Sequence, residues 1–185
     1  IYIDACMRKD SSTAELPSQL FLATERYTIT KFVLNELPLE IVKEDRIQQR
    51  MHGNYDPQSL SWAKKIRDAD QIVIAAPFWD MSYPAALKNF LEFCSVFNVT
   101  FKSDEKIVMG IVGHRNYYIS LHVVWIFLPM IIRTGHTLFK DAKLALGIGP
   151  MDVISAQNMD YVSDDEVEKK VQQAIKTGLH LVETW

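Results

Sequence analysis

The sequence predicts a single doubly wound α/β domain, a parallel sheet between two layers of helices, and three observations lead there. Strand-like and helix-like patterns alternate five times along the chain, the order that right-handed crossovers close into an open parallel sheet. The run Ile72-Val73-Ile74-Ala75-Ala76 is apolar without a break, as a strand covered on both faces requires. The 185 residues, 48% hydrophobic and 23% charged, suit one globular core spanning residues 1–185.

The first strand is Ile1 to Cys6, followed by a polar loop, Met7 to Ser12, and a helical pattern from Thr13 to about Glu25. Leu16, Leu20 and Ala23 recur there at helical spacing, and Pro17 falls near the first turn, where a missing N–H costs little. Thr28 to Leu34 is rich in β-branched and aromatic residues and gives a second strand, after which Asn35-Glu36-Leu37-Pro38 turns the chain outward. Lys43 to Met51 and Pro57 to Ala69 read as helices separated by His52 to Asp56, with Asp56 as a cap and Trp62 and Ile66 on the buried face. The central strand, Gln71 to Ala76, ends at Pro77, and a helix from Pro84 to about Phe97 carries Leu87, Phe90, Leu91 and Cys94 on one stripe. Ile107 to Val112 is predicted as the fourth strand and Gly113 to Ser120 as the loop after it. Leu121 to Leu146 reads as mostly helical, with Leu121 to Ile132 either core or subunit interface. Pro150 to Ala156 is the fifth strand, and Ser163-Asp164-Asp165-Glu166 opens a last helix to about Val182.

Composition narrows the function. A net charge of −3 and a pI near 6.0 leave no basic surplus for nucleic acid. Cys6 and Cys94 form no C-x-x-C pair, which argues against a disulfide framework or zinc site and for a reducing cytoplasm. The longest apolar run, Val123 to Ile132, is about half of what a spanning helix needs, so no membrane association is expected. His52, His122, His136 and His180 make no metal-ligand array, and there is no G-x-S-x-G elbow. The chain opens at Ile1 inside a strand pattern without an initiator Met, so a few residues are expected to precede it and no signal peptide can be judged.

In doubly wound sheets ligands bind beyond the carboxyl ends of the strands, which singles out three loops. The first, from Cys6 to Thr13, sets the hydroxyls of Ser11, Ser12 and Thr13 at a helix N-terminus, where free N–H groups and the helix dipole favour an anion such as a phosphate monoester. It lacks the glycines of a P-loop or a dinucleotide fingerprint. Ordinary N-capping by Ser11 or Ser12 is the alternative. The second loop, Pro77-Phe78-Trp79-Asp80-Met81-Ser82-Tyr83-Pro84, holds aromatics between two prolines directly after the most buried strand. Flat apolar walls with backbone donors and acceptors suit an isoalloxazine ring; a loop packed on its own core is the alternative.

The segment Ala75 to Lys88, continued by Asn98-Val99-Thr100-Phe101-Lys102, resembles the flavin-loop signature of the flavodoxin-like NAD(P)H oxidoreductases, which include FMN-dependent NADH azoreductases and quinone reductases. The first loop is similar to that family's C-x-R-x-x-S-x-T-x-x-L pattern at Cys6, Arg8, Ser11, Thr13 and Leu16. The likeness runs from Ile1 to about Lys102 and resumes more weakly at Leu146-Gly147-Ile148 and the strand ending at Ala156. It implies a flavodoxin-like three-layer α/β/α sandwich with a five-stranded parallel sheet of order 2-1-3-4-5, tightly bound FMN, NADH or NADPH as hydride donor, and a homodimer. By the same resemblance Ser11, Ser12 and Thr13, with Arg8, hold the FMN phosphate, and Pro77, Phe78, Trp79, Asp80 and Met81 line the ring.

Two departures stand out. The third loop has Gly113-His114-Arg115-Asn116-Tyr117 where the family has a Gly-Gly turn, and the excursion that follows Thr-Phe-Lys is missing, Ser103 to Lys106 leading straight into the next strand. Gly113, His114 and Arg115 are candidate cofactor contacts, though a loop His beside an Arg is more often a solvated surface pair. Trp79, Tyr83 and Tyr117 are candidates for the acceptor site. The implied reaction is ping-pong transfer of hydride equivalents to a quinone, azo compound or nitroaromatic, with no catalytic side chain required. A one-electron carrier is the first rival, disfavoured by the modest charge; an interaction module without flavin is the second.

Overall fold

The computed structural model describes residues 1–7, 27–78, 82–103, 108–112, 117–124, 147, 151–157 and 162–183, with backbone alone for 78, 117–124, 151, 157, 182 and 183. Strands β1 (Tyr2–Asp4), β2 (Lys31–Val33), β3 (Gln71–Phe78), β6 (Tyr117–Val124) and β7 (Met151–Gln157) form a sheet of order β2-β1-β3-β6-β7 in which every neighbouring pair is parallel. Two further strands, β4 (Phe101–Ser103) and β5 (Val108–Gly110), make a separate antiparallel pair. The helices are α1 (Glu44–Met51), α2 (Pro57–Asp68), α3 (Ala85–Phe93) and α4 (Asp164–Glu183).

Alternation along the strands separates two cores. Ile3, Ile72 and Ile74 point to one face, where Trp62 and Ile66 of α2 and Leu87, Phe90 and Phe93 of α3 cover them. Phe32, Trp62, Phe90 and Phe93 form a ring cluster with centroids 5.1 to 5.8 Å apart, and burying each such side chain contributes about 1.5–3 kcal/mol. Tyr2, Val73 and Ala75 point to the other face, where Val171, Ala174 and Ile175 of α4 meet them. Both faces of β3 are thus covered, which is why its sequence shows no polar alternation.

Local chemistry sets the helix ends. Asp56 caps α2, accepting the Ser59 N–H at 2.8 Å, and Pro57 occupies the first position. At the end of α3, Arg50 donates to the carbonyls of Glu92 (2.9 Å) and Phe93 (3.4 Å), and the buried Ser59 hydroxyl also donates to Phe93. The helix stops at Phe93, short of the predicted Phe97. Beyond it Thr100 Oγ1 accepts the Val96 N–H (3.0 Å) and donates to the Cys94 carbonyl (2.9 Å), winding the chain into a turn with Asn98 at φ 61°. Asn tolerates that left-handed backbone better than most residues.

The middle of the chain departs from the sequence reading. The predicted fourth strand, Ile107 to Val112, supplies only β5, which pairs with Phe101–Ser103 and not with the main sheet. The stretch after Thr100-Phe101-Lys102 therefore belongs to a hairpin, and the sheet's next strand is β6. Four residues of the predicted loop and the first four of the predicted helix, Tyr117 to Val124 together, are that strand. The physical reason is that both segments are rich in β-branched residues, with aromatics only in the second, and a short run does not reveal its partner. The predicted helix Thr13 to Glu25 and the remainder of Leu121 to Leu146 lie outside the described residues. Gly147, at φ 70°, packs so closely on Gly110 that a Cβ would collide with that carbonyl group.

Among the described residues, no helix is long and apolar enough to cross a membrane, and no group of three His, Cys, Asp or Glu is placed to hold a metal ion.

Candidate functional site

The carboxyl edge of the sheet is built from the ends of β1 and β3, which lie side by side. Asp4 pairs with Ala75, and the Ala5 N–H donates to the Ala75 carbonyl at 2.8 Å. The first and second loops therefore leave adjacent strands at one edge. Pro77 is buried near the end of β3, which runs one residue past it to Phe78, and Phe78 pairs with Val124 of β6. Pro84 is buried at the head of α3, and Tyr83 is half-buried against the core under that helix.

The exit of β1 is polar and well partnered. Asp4 is 8% exposed; its Oδ1 accepts the Cys6 N–H at 3.1 Å and its Oδ2 lies 3.5 Å from Lys31 Nζ. Lys31 also sits over the Tyr2 ring, 5.2 Å from the centroid. Burial, with Asp4 close by and hydrogen-bonded to it, pushes the Tyr2 hydroxyl well above the usual phenol range. Asn35, in the 3-10 turn Leu34–Glu36 that follows β2, donates its amide to the Cys6 carbonyl at 2.7 Å. Cys6 itself is buried, its thiol directed at the Ala75 carbonyl.

Of the predicted contacts, Pro77 and Tyr83 stand at this edge. Arg8, Ser11, Ser12, Thr13, Trp79, Asp80 and Met81 lie outside the described residues, and Phe78 is described by its backbone alone. Tyr117 is a correction. It opens β6 opposite Gln71, the first residue of β3, so it stands at the amino edge of the sheet, a full strand length from the carboxyl ends. Gly113, His114 and Arg115 also lie outside the described residues, and they precede β6, so the premise that they follow the fourth sheet strand is overturned. Strand β6 ends at Val124, and residues 125–146 lie outside the described ones. Sequence reasoning passed over Asp4 and Asn35; an Asp two residues before a loop residue whose N–H it accepts is the signal that was there to be read.

The Asn98 to Lys102 part of the motif is a structural turn. Thr100 is fully buried in it, and the Phe97 N–H donates to the Tyr55 hydroxyl at 3.1 Å. A cavity of about 790 Å³ opens elsewhere, at the amino edge, between Ile1, Thr28 to Thr30, Ala69 to Gln71 and the α2 residues Lys64 and Lys65.

A family described as having the flavodoxin-like fold matches residues 1–177. The chain is 28% identical to an FMN-dependent NADH:quinone oxidoreductase of Clostridium perfringens over 142 residues, 71% of this chain and 69% of that one. It is 26% identical to a protein of the same description from Caldicellulosiruptor saccharolyticus, with 95% and 94% of the two chains covered. Among solved structures, an azoreductase from Bacillus anthracis superposes with a TM-score of 0.82 at 15% identity, over 100% of this chain and 98% of that one. With a parallel five-stranded sheet, helices on both faces and a family match over nearly its whole length, this chain belongs to the flavodoxin-like fold family.

Proposed function

We propose that this chain is an FMN-dependent NAD(P)H oxidoreductase that reduces quinones, azo compounds or similar electrophilic acceptors. The observation that carries the reading is the adjacency of the two motif-bearing loops: β1 and β3 are neighbours joined through Ala5 and Ala75, so a phosphate held by the first loop and a ring held by the second belong to one ligand of mononucleotide size. The relatives described as FMN-dependent NADH:quinone oxidoreductases support the same cofactor and donor.

The donor set suits that ligand. Ser11, Ser12 and Thr13 offer hydroxyls, and Arg8 a guanidinium, to the phosphate. Pro77, Phe78, Trp79, Asp80 and Met81 line the ring, and Pro77, rigid and buried at the end of the central strand, fixes where that wall begins. FMN, when bound, supplies two-electron chemistry between the nicotinamide nucleotide and the acceptor. The chain's own work is to anchor, orient and leave one ring face open, used in turn by donor and acceptor. Trp79 and Tyr83 wall that face, and a second copy of the chain completes it in a cytoplasmic homodimer. One domain carries all of this.

The test is the visible spectrum of protein given FMN and freed of excess, followed anaerobically as NADH or NADPH and then a quinone are added. Flavin bands that stay with the protein, bleach with the nucleotide and return with the quinone are expected. Protein that retains no flavin overturns the reading. Retained flavin that stops at a stable one-electron state favours a carrier instead.

A further inference from the structure

We infer that Asp4 and Asn35 are positioning residues for the phosphate-binding loop: together they hold both main-chain polar groups of Cys6 and so set the direction in which the chain leaves the sheet. The inference rests on the FMN reading above and adds two residues to it that touch neither phosphate nor ring.

The sheet itself shows why such a device is needed. Tyr2 pairs with Lys31 and Asp4 with Val33, and the Tyr2 N–H donates to the Thr30 carbonyl at 2.9 Å, so alternate residues of β1 turn their main-chain groups toward β2. Cys6 is next in that series. Its partner segment, however, has already wound into the 3-10 turn Leu34–Glu36, where the Leu34 carbonyl accepts the Leu37 N–H. The ladder stops one step before β1 ends its course along β3. A buried N–H and C=O left without partners would cost about 1–3 kcal/mol each. Two side chains replace the missing strand: Asp4 Oδ1 takes the Cys6 N–H at 3.1 Å and Asn35 Nδ2 gives to the Cys6 carbonyl at 2.7 Å. Lys31, half exposed and 3.5 Å from Asp4 Oδ2, holds the carboxylate from its far side. Cys6 is thereby gripped from β1 and from the turn after β2, while Ala5 stays bonded to β3. The next residues are the loop bearing Arg8, Ser11, Ser12 and Thr13. A loop whose first peptide is fixed on three sides presents its hydroxyls with less ordering left to do on binding.

The sign of one effect separates positioning from simple charge. Asp4 is an anion near the start of a loop proposed to bind an anion, so by Coulomb's law alone its removal strengthens FMN binding. A positioning role requires the opposite. FMN and riboflavin affinities, measured side by side by flavin fluorescence, read the phosphate contribution directly, because the two ligands share the ring and differ in the phosphate.

Asp4→Ala and Asn35→Ala are each expected to weaken FMN binding about tenfold, the worth of one hydrogen bond, with riboflavin affinity unchanged. Asp4→Asn keeps the acceptor oxygen and drops the charge, and is expected to bind FMN at least as tightly as the parent. Asn35 is exposed, so Asn35→Ala keeps the test open if Asp4→Ala does not fold. Equal losses for FMN and riboflavin, no loss for either, or tighter FMN binding by Asp4→Ala would each overturn the inference while leaving the flavin reading intact. A parent protein that binds neither ligand overturns the flavin reading and, with it, this one.

Discussion

The two edges of the sheet make opposite use of the same strands. At the amino edge lies a cavity of about 790 Å³, with Lys64 and Lys65 on its wall. At the carboxyl edge the described residues are tightly engaged: Cys6 held by Asp4 and Asn35, Pro77 buried, Tyr83 against the core. Volume points to one edge and chain connectivity to the other. The lesson is that in a parallel sheet a site is found by asking where loops with binding chemistry leave adjacent strands, since strand direction puts all of those exits on one side. Space at the amino edge arises where α2 ends and strands begin, and Thr28 to Thr30 and Ala69 to Gln71 carry neither an unbroken hydroxyl run like Ser11-Ser12-Thr13 nor an aromatic loop.

That contrast can be broken most forcefully at the carboxyl edge. The combined variant Ser11→Ala/Ser12→Ala/Thr13→Ala is expected to lose FMN affinity on the order of 100-fold or more, as charge-assisted bonds to a phosphate are removed; a fluorescence titration checks it. Gly147→Ala comes next. It strains a residue at φ 70° and drives a methyl group into the Gly110 carbonyl, so urea denaturation should show a loss of about 2 kcal/mol or more, with FMN affinity of the folded protein unchanged.

A smaller effect belongs to the core between the edges. Burial pushes the Cys94 thiol well above its usual range, only partly countered by Arg50, and Tyr2 is raised likewise. A raised folded-state value means that the native protein keeps its proton where the unfolded chain has lost it. The associated stability is complete below the ordinary thiol and phenol ranges and drains away as pH rises above about 9. Denaturation midpoints between pH 8 and 10.5 should fall, and fall less steeply in Tyr2→Phe and Cys94→Ala. Smallest of all, Lys64→Gln/Lys65→Gln and Tyr117→Phe, changes at the amino edge, should leave the acceptor KM within about twofold of the parent.

The central strand and the helix before it were the most legible. β3 announces itself because a strand covered on both faces has no polar positions, and α2 because Asp56, Pro57, Trp62 and Ile66 fall where a cap, a first turn and a buried face need them. The hairpin and β6 were misread for a physical reason. Val108 and Met109 form a strand pattern although they are largely exposed, and their partner is the preceding segment, a choice fixed by tertiary context. Once Ile107 to Val112 is taken for the fourth sheet strand, Tyr117 is carried to the wrong edge. Asp4 was overlooked because one carboxylate in an apolar strand reads as an exception to the pattern, and its purpose shows only when the turn at Leu34–Glu36 is seen to leave Cys6 without a strand partner. The same holds for Asn35, 29 residues away in sequence and joined to Cys6 only by the fold.

Hydrogen exchange with and without FMN tests the central claim most directly, because it reports which edge of the sheet the ligand covers. FMN is predicted to slow exchange in peptides spanning Asp4 to Thr13 and Ala75 to Pro84, and to leave those spanning Thr28 to Thr30 and Ser61 to Gln71 unchanged. Protection confined to the second pair would move the site to the cavity at the amino edge and contradict the account.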